Sequence, residues 1–525
     1  MAKGRTGKPK QEKSLEQALW DSFIRLRGKV ETAEYKHVVL SMIFLKYAND
    51  RFAAQREKMT TEGQQAFLEM TPFYTKDNVF FIPEAARWDF ILAHSKEPGL
   101  DIKIDTALHE IETRNPSLSG ALPDNYYSRL RIEPTTLASI VNVIDNVDLR
   151  KSPNKDVFGR VYEFCLLKFA MEEGKRKGEF YTPETVVALL CELIEPYEGI
   201  VYDGACGSGG MFVQSKRFVE EHSGNSRNIS IYGQERTDTT RRLCRMNLAI
   251  RGISANLGEM AADTFHNDQH KDLRADFALE NPMFNQKDWR EENQLLDDPR
   301  WNGYKVPPTS NANYAWLLNT LAKLNGDGIG AVLLANGSLS ADGDEGEIRR
   351  QLIENDRVEA VLVLPRNLFY TTDISASVWI LNRNKRARTA TRNGETVRYR
   401  DRTGKVLFMD LRQIGHPYEK KYVELTPDDR ARVTERFHAW QQETGAEYRN
   451  EPEFCYSADV AEIREKGYSL VPSRYIEFVN RDEGADYDGK MSALRDELAG
   501  LLAAEEQSKR DLLAVLEGLG YGIDL

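Results

Sequence analysis

The sequence predicts an α/β fold: a doubly wound, mainly parallel sheet with a helical domain before it and helices after it. Three observations predict it. Helical periodicity runs from Leu15 to about Phe169, short β-rich runs then alternate with helical patterns, and helical, polar sequence returns after about Pro427. Strands alternating with helices pack as a parallel sheet covered on both faces.

Taken in order, residues 1–13 read as a flexible tail. Leu15, Leu19, Phe23 and Leu26 then share one helical face, and a second amphipathic segment runs from Glu34 to Phe52. Apart from loop-like stretches such as Asn115–Asp124, residues 14–170 read as a helical N-terminal domain. The strand candidates are Gly199–Tyr202, Asn228–Tyr232, Ala275–Leu279, Ile329–Leu334, Val358–Leu364 and Ser377–Leu381, with Lys405–Leu411 as a late addition. They define a second domain, 171–425. Residues 426–525 read as a helical C-terminal region in which Met491, Leu494, Leu498, Leu501, Leu512, Val515 and Leu519 fall at near-heptad spacing. Glu505 and Ser508 interrupt that stripe, which argues against a long coiled coil and for a helix that packs on its own domain or docks a partner.

Composition excludes several classes. Five cysteines (Cys165, Cys191, Cys206, Cys244, Cys455) form no CxxC or paired spacing, so no disulfide framework or zinc site is indicated, and a reduced cytoplasmic compartment is expected. His266 and His270 have a spacing that suits a metal only on a helix, and no third ligand accompanies them; no metal is expected. The most apolar early stretch, Val38–Leu45, contains Ser41 and is far too short to span a bilayer, and the basic N-terminus lacks the apolar core of a secretory signal. The net charge of −11 is ill suited to binding DNA unaided, because phosphate contacts need clustered cations. Lys3, Arg5, Lys8 and Lys10 cluster in the tail, and Lys175, Arg176 and Lys177 precede the first motif.

The motifs carry chemistry. In VYDGACGSGGMF, Val201–Phe212, an apolar strand ends at Asp203 and a glycine-rich turn leads into a helix. Glycine lets a ligand approach the backbone closely in the crevice at a strand's carboxyl end. The motif matches neither GxGxxG nor the GxxxxGK[ST] loop. Glu235 follows the next strand, where a carboxylate accepts hydrogen bonds from ribose hydroxyls; a helix N-terminal charge is the alternative. Asp263, in ADTF, is placed to hold an adenine amino group or to cap a turn.

The decisive site is Asn281-Pro282-Met283-Phe284, directly after ADFALE. The exocyclic amine of adenine is a poor nucleophile because its lone pair is delocalised into the ring. Two acceptors, the Asn281 side-chain oxygen and the Pro282 carbonyl, can hold both N–H groups and aim the lone pair at the methyl of a sulfonium donor, while Phe284 stacks on the extruded base. A bare Asn-Pro is ordinarily a turn; after a third strand, with the two earlier motifs in place, it is a catalytic motif.

The order GEFYTP, DGACGSGG, GQE, ADTF, NPMF, NANYAW, AVLLANGSLS and LPRNLFYTT resembles the methyltransferase subunits of type I restriction–modification systems over most of the chain. The helical segments SLEQALWDSFIRLRG and YKHVVLSMIFLKY are similar to the same family's N-terminal domain. The resemblance implies an adenine-specific DNA methyltransferase with a Rossmann-like methyltransferase sheet that uses S-adenosyl-L-methionine on double-stranded DNA. It further implies a separate specificity subunit serving two copies of this chain, and a restriction subunit that cuts. It assigns Glu179, Phe180, Tyr181, Thr182, Pro183 and Glu184, with Ser208, Gly209, Gly210 and Glu235, to the cofactor site; Asp203, Ala205 and Asp263 are further contacts, and Phe369 and Tyr370 lie towards the flipped base. Two residues depart from the family pattern: Gly204 stands where the family has Pro, and Met283 replaces the second proline of Asn-Pro-Pro-Phe/Tyr. Because a following proline restricts the residue before it, Pro282 is freer here, and a cofactor- and DNA-binding scaffold without activity is the competing expectation. Protein glutamine methylation is a rival argued against by the helical domain and GEFYTP; a dehydrogenase is excluded because Asn-Pro-x-Phe has no role in one.

Overall fold

Runs such as VEAVLV and ASVWILN form strands because β-branched and aromatic residues fit a pleated surface buried on both sides. The computed structural model describes residues 15–28, 30–146, 157–173, 182–222, 225, 228–369, 375–418, 422–443, 447–479 and 487–519. The expected tail, the Lys175–Lys177 cluster, Glu179, Phe180, Tyr181 and Tyr370 lie outside them. Within the described residues the strands are β1 (Gly199–Asp203), β2 (Ile229–Gly233), β3 (Ala255–Asn256), β4 (Ala275–Glu280), β5 (Leu324–Ala335), β6 (Val358–Val363), β7 (Ala376–Asn382), β8 (Arg388–Arg392), β9 (Glu395–Tyr399), β10 (Lys405–Asp410), β11 (His416–Tyr418), β12 (Tyr422–Glu424) and β13 (Cys455–Asp459).

Nine of these form one sheet in the order β13-β10-β6-β7-β5-β4-β1-β2-β3. From β3 to β5 every neighbour is parallel; β7 runs antiparallel between β5 and β6, β10 is parallel to β6, and β13 closes the edge antiparallel to β10. The chain builds outward from β1 to β3, then returns to place β4 on the other side of β1. That reversal opens a crevice outside the carboxyl ends of β1 and β4, where ligands bind in open α/β sheets.

The helices are α1 (Leu15–Leu26), α2 (Thr32–Thr61), α3 (Pro72–Thr75), α4 (Trp88–Ala93), α5 (Leu100–Arg114), α6 (Tyr126–Leu130), α7 (Pro134–Asp145), α8 (Val157–Glu173), α9 (Glu184–Ile194), α10 (Gly210–Glu221), α11 (Asp238–Ile250), α12 (Asn313–Lys323), α13 (Gly343–Glu354), α14 (Pro427–Gln441), α15 (Val460–Glu465) and α16 (Tyr487–Gly518). Alternation along β5 splits the core: Ala331 and Leu333 face α9, α10 and α14, whereas Val332 and Leu334 face α12 and α13. A separate core unites α1, α2, α5, α7 and α8 with Leu243, Met246 and Ile250 of α11, so the helical domain is built onto a helix of the sheet. None of the helices among the described residues is long and apolar enough to cross a membrane. The chain divides into two units, 1–476 and 477–525. The second contains α16, a single 32-residue helix whose stripe of Met491, Leu494, Leu498, Leu501, Leu512 and Val515 has no apolar partner among the described residues of its own unit.

The structure departs from the sequence reading in several places. The α2 helix continues nine residues beyond Phe52, because Ala53–Thr61 is polar but rich in helix formers. Residues after Pro427 are not all helical: α14 is capped by a Thr426–Asp429 box with Pro427 at its first position, but β13 then joins the sheet. CYSAD reads poorly as a strand because only one side of an edge strand is buried. The β8–β9 ribbon turns on Asn393 (φ 49°) and Gly394 (φ 81°), an Asn-Gly hairpin signal the sequence did contain.

Below the sheet edge, Arg402 Nε donates to Glu359 Oε1 at 2.8 Å with both residues at most 1% exposed. Glu359 also accepts from Gln441 Nε2 (3.1 Å) and from Asn382. Arg402→Met strands this carboxylate and is expected to cost about 3–5 kcal/mol, read as a lower urea midpoint with native helical circular dichroism; adding Glu359→Leu recovers part of the loss. An unchanged midpoint in Arg402→Met contradicts this account.

Candidate active site

The glycine-rich turn departs from β1 at Asp203 and enters α10 at Gly210. Gly209, with φ 82°, caps α10; a Cβ there would lie 2.9 Å from Cys244 Sγ, so the turn admits only glycine. The Gly209 amide closes the turn on the Cys206 carbonyl at 2.8 Å. The turn thus delivers the N-terminus of α10 to the carboxyl end of β1, and a helix N-terminus suits a polar or anionic group.

Two side chains stitch the turn to its neighbours. Glu235, after β2, accepts from the Gly207 amide (3.2 Å) and from the Thr237 amide (2.9 Å) and hydroxyl (3.0 Å). Asn247 of α11 donates to the Ser208 carbonyl at 2.8 Å. Gln234, fully buried, ties three loops together. Its amide and carbonyl pair with Asp203 and Cys206 at 3.0 Å, its Nε2 reaches the Ala262 and Asn267 carbonyls, and its Oε1 accepts from the Gln269 amide. Asp263 caps a turn through the Phe265 and His266 amides (3.0 and 3.1 Å) and meets the His266 ring at 3.0 Å. It also lines an open cleft of about 670 Å³ with Arg236, His266, Met283, Phe284 and Trp289, so the turn-cap and cleft roles coexist.

The Asn-Pro loop forms the cleft's other wall. Asn281 Nδ2 donates to Thr182 Oγ1 at 2.6 Å, which fixes the amide's orientation. Asn281 Oδ1 is buried and accepts no hydrogen bond, and no group among the described residues donates to the Pro282 carbonyl. Phe284 is 8% exposed and meets Phe369 edge-on, ring centres 6.0 Å apart at 75°, which brings the later aromatic motif to this loop. The next residue, Asn285, takes φ 53° and is held by a reciprocal pair: its amide donates to Asn313 Oδ1 (3.0 Å), and Asn313 Nδ2 donates to Asn285 Oδ1 (2.9 Å). That is the structural task of NANYAW. Met283, 46% exposed, projects into the cleft.

Beneath the loops the charge balance is unusual. Burial pushes the Asp203 carboxyl well above the ordinary range, with Glu280 adding to the effect, although Asp203 accepts from the Ala205 amide at 2.9 Å. Burial likewise raises Glu280 to about 7, against the pull of the Thr320 hydroxyl, the Gly204 amide and Lys323; neither carboxyl oxygen makes a well-aligned hydrogen bond.

The structure therefore gathers Thr182, Asp203, Ala205, Ser208, Gly209, Gly210, Glu235, Asp263, Asn281, Pro282 and Phe284 around the β1–β4 crevice. Pro183 caps α9 beside Thr182. Glu184 is not brought in: it is half-exposed and paired with Arg217 of α10, because the first turn of α9 directs it across to the neighbouring helix. The Thr182 hydroxyl accepts from Asn281 Nδ2, which ties the start of α9 to the Asn-Pro loop. Sequence reasoning missed Gln234, Asn247, Asn313 and Glu280. The last had a signal: a charge ending an otherwise apolar strand.

Comparisons with known proteins identify the family. The "HsdM N-terminal domain" family matches residues 15–147 and the "N-6 DNA Methylase" family matches residues 153–484. The chain is 39% identical to the type I restriction enzyme HindI methylase subunit of Haemophilus influenzae, over 84% of this chain and all of that one. It is 31% identical to the MjaIX methylase subunit of Methanocaldococcus jannaschii, over 97% and 92% respectively. The fold is shared with the type I methyltransferase subunit of Streptococcus thermophilus, with TM-score 0.71, 23% identity, and coverage of 88% of this chain and 99% of that one. With both families matched in chain order and curated relatives matched almost end to end, this protein belongs to the methyltransferase subunits of type I restriction–modification systems and is a DNA methyltransferase.

Proposed function

We propose that this subunit methylates N6 of adenine in double-stranded DNA, using S-adenosyl-L-methionine, at a site chosen by a separate specificity subunit. The observation that carries the reading is the Asn281 amide, whose nitrogen is engaged by Thr182 while its oxygen is buried and unpartnered. A buried acceptor without a donor is costly unless a ligand supplies one. The Pro282 carbonyl provides a second acceptor one residue on, matching the two N–H groups of an exocyclic amine. Held by both, the amine turns its lone pair away from the ring, and positioning supplies most of the acceleration. Phe284, backed by Phe369, offers an aromatic edge to an extruded base.

The residues around β1 and β2 suit the cofactor. The Gly207–Gly210 turn would hold its methionine part, Glu235 its ribose and Asp263 its adenine, with Ser208, Ala205 and Asp203 lining the path and Thr182 and Pro183 at the start of α9; the family resemblance adds Glu179, Phe180 and Tyr181. When bound, S-adenosyl-L-methionine supplies an electrophilic methyl group. The amine, once methylated, is acidic enough to release its proton without a strong base. Met283 favours a second reading, a scaffold that binds cofactor and DNA without turnover. Against it, the loop keeps its shape without the second proline, because Asn313 pins Asn285.

The acidic chain relies on partners for most of its DNA affinity. We assign these as a specificity subunit flanked by two copies of this chain, with a restriction subunit joining to cut. Residues 426–525 supply the docking surface, through the apolar stripe of α16.

The test is methyl transfer to duplex DNA by the complex purified from cells, with N6-methyladenine read by mass spectrometry. Asn281→Ala is expected to lower kcat by about a hundredfold or more while cofactor binding persists. Thr182→Val, which frees the amide to turn, lowers kcat about tenfold, and Thr182→Ser restores it. Cofactor binding with no methyl group on DNA in the unaltered protein favours the scaffold. Deletion of residues after Asp488 is expected to abolish co-purification with the specificity subunit; undiminished assembly assigns docking elsewhere.

A further inference from the structure

The backbone at Gly204 does not require glycine: its φ lies outside the left-handed range. Space requires it. A Cβ at 204 would lie 2.8 Å from Tyr202 Oη and 3.3 Å from both Asn319 Nδ2 and Thr264 Cγ2. The tyrosine is fully buried, so its hydroxyl has no room to retreat.

Around that hydroxyl, four buried polar atoms have no well-aligned partner: Tyr202 Oη, both carboxyl oxygens of Glu280, and Asn319 Nδ2. Buried polar atoms in native proteins are rarely left so, and four in one place form a group. Glu280 and Asn319 both act on the Tyr202 hydroxyl, and Glu280 lies next to the Gly204 amide and the Thr320 hydroxyl. The group touches every wall of the site. Glu280 precedes Asn281; Thr264, one residue from Asp263, donates to the Gly204 carbonyl at 2.5 Å; and Arg300 bridges Asn319 Oδ1 (3.2 Å) to the Thr264 carbonyl (2.8 Å).

We propose that Tyr202, Glu280 and Asn319 form a hydrogen-bonded brace beneath Gly204 that positions Asn281, with Glu280 acting in its neutral, proton-donating form. A carboxylate offers acceptors only, whereas a carboxylic acid donates to one neighbour and accepts from others, and so can join the hydroxyl and amide. Glu280 is thus a positioning residue that acts through Asn281. The inference rests on the role of Asn281 proposed above.

Charged and titratable groups face Glu280 from each side: Asp203 and Tyr202 from β1, and Lys323 from α12, itself bound to Asp268 and the His270 carbonyl at 2.6 Å. Burial is what raises Glu280, and Lys323, committed to those acceptors, only partly offsets it, so the neutral form of Glu280 persists up to about pH 7. The brace is intact below that pH and weakens as pH rises through it.

The experiment measures kcat and KM of the purified complex on duplex DNA across pH 5.5 to 9, at saturating cofactor. The unaltered protein is expected to lose kcat, with KM nearly constant, as pH rises through about 7. Glu280→Gln keeps a neutral donor: it retains kcat within about threefold and loses that inflection, whereas Glu280→Ala falls at least about tenfold. Gly204→Ala lowers kcat by about tenfold, and adding Tyr202→Phe, which removes the obstructing oxygen, restores most of it. An inflection that survives in Glu280→Gln overturns the proposal, as does a Gly204→Ala defect that Tyr202→Phe leaves untouched. Asn281→Ala separates the two levels: if it is inactive while the Glu280 and Gly204 variants behave as the unaltered protein, the brace alone fails. If it remains active, the role of Asn281 fails first.

Discussion

The parallel pairing of β1 with β4 fixes the geometry on which the rest of the molecule relies. Val201 aligns with Phe277 and Tyr202 with Ala278, which brings Asp203 and Glu280, one residue apart in register, to the ends of adjacent strands. A slip of one residue would send every side chain of one strand to the opposite face and separate the glycine turn from the Asn-Pro loop. The strand order reverses at this pair, so no crossover covers the crevice, and both loops remain open to a ligand.

Around that pair, neutral side-chain amides hold the loops, beside the buried Lys323–Asp268 and Arg300–Asp298 ion pairs. Gln234 holds three loops through neutral hydrogen bonds, and Asn313 does the same for the turn after Phe284. Neutral amides suit this work because they satisfy donors and acceptors together without the desolvation penalty of an ion pair. The exceptions stand out against that background. Asp203 and Glu280 are buried acids placed side by side, and such departures from ordinary packing concentrate where proteins hold reacting groups. The helical domain meets the sheet through α11, the same helix whose Asn247 secures Ser208. Its packing therefore bears on the glycine turn through a single rigid element.

Much of this was legible in the sequence, and the reason lies in periodicity and punctuation. Strands β1, β2, β4, β5, β6, β7 and β10 are evident as short β-rich runs, and Gly207, Gly209 and Asn281-Pro282 mark the loops that follow. The positions of Asn281 and Glu235 at strand ends follow from local order. Long-range partnerships left no such trace. Nothing near Thr182 indicates that its hydroxyl meets a side chain from another strand, and nothing near Glu184 indicates that Arg217 will draw it outward. The edge strand β13 escaped notice because half of it faces away from the core. Gly204 illustrates the limit well: it reads as a generic turn residue, and only the position of the Tyr202 hydroxyl gives its cause.

The Thr182–Asn281 hydrogen bond joins residues 99 positions apart, with β1, β2 and β3 between them, and β4 is an interior strand that needs β5 on its far side. The Asn281 amide is therefore oriented only after long-range closure, the slow, entropy-limited part of building such a sheet. A growing polypeptide that has emerged only through β4 carries every residue of the glycine turn yet cannot aim Asn281. A proteolytic cut between β1 and β4 would leave two fragments with neither half of the reaction centre complete. In this architecture the loop geometry arrives late and all at once, with the closure of the sheet rather than with any one segment of it.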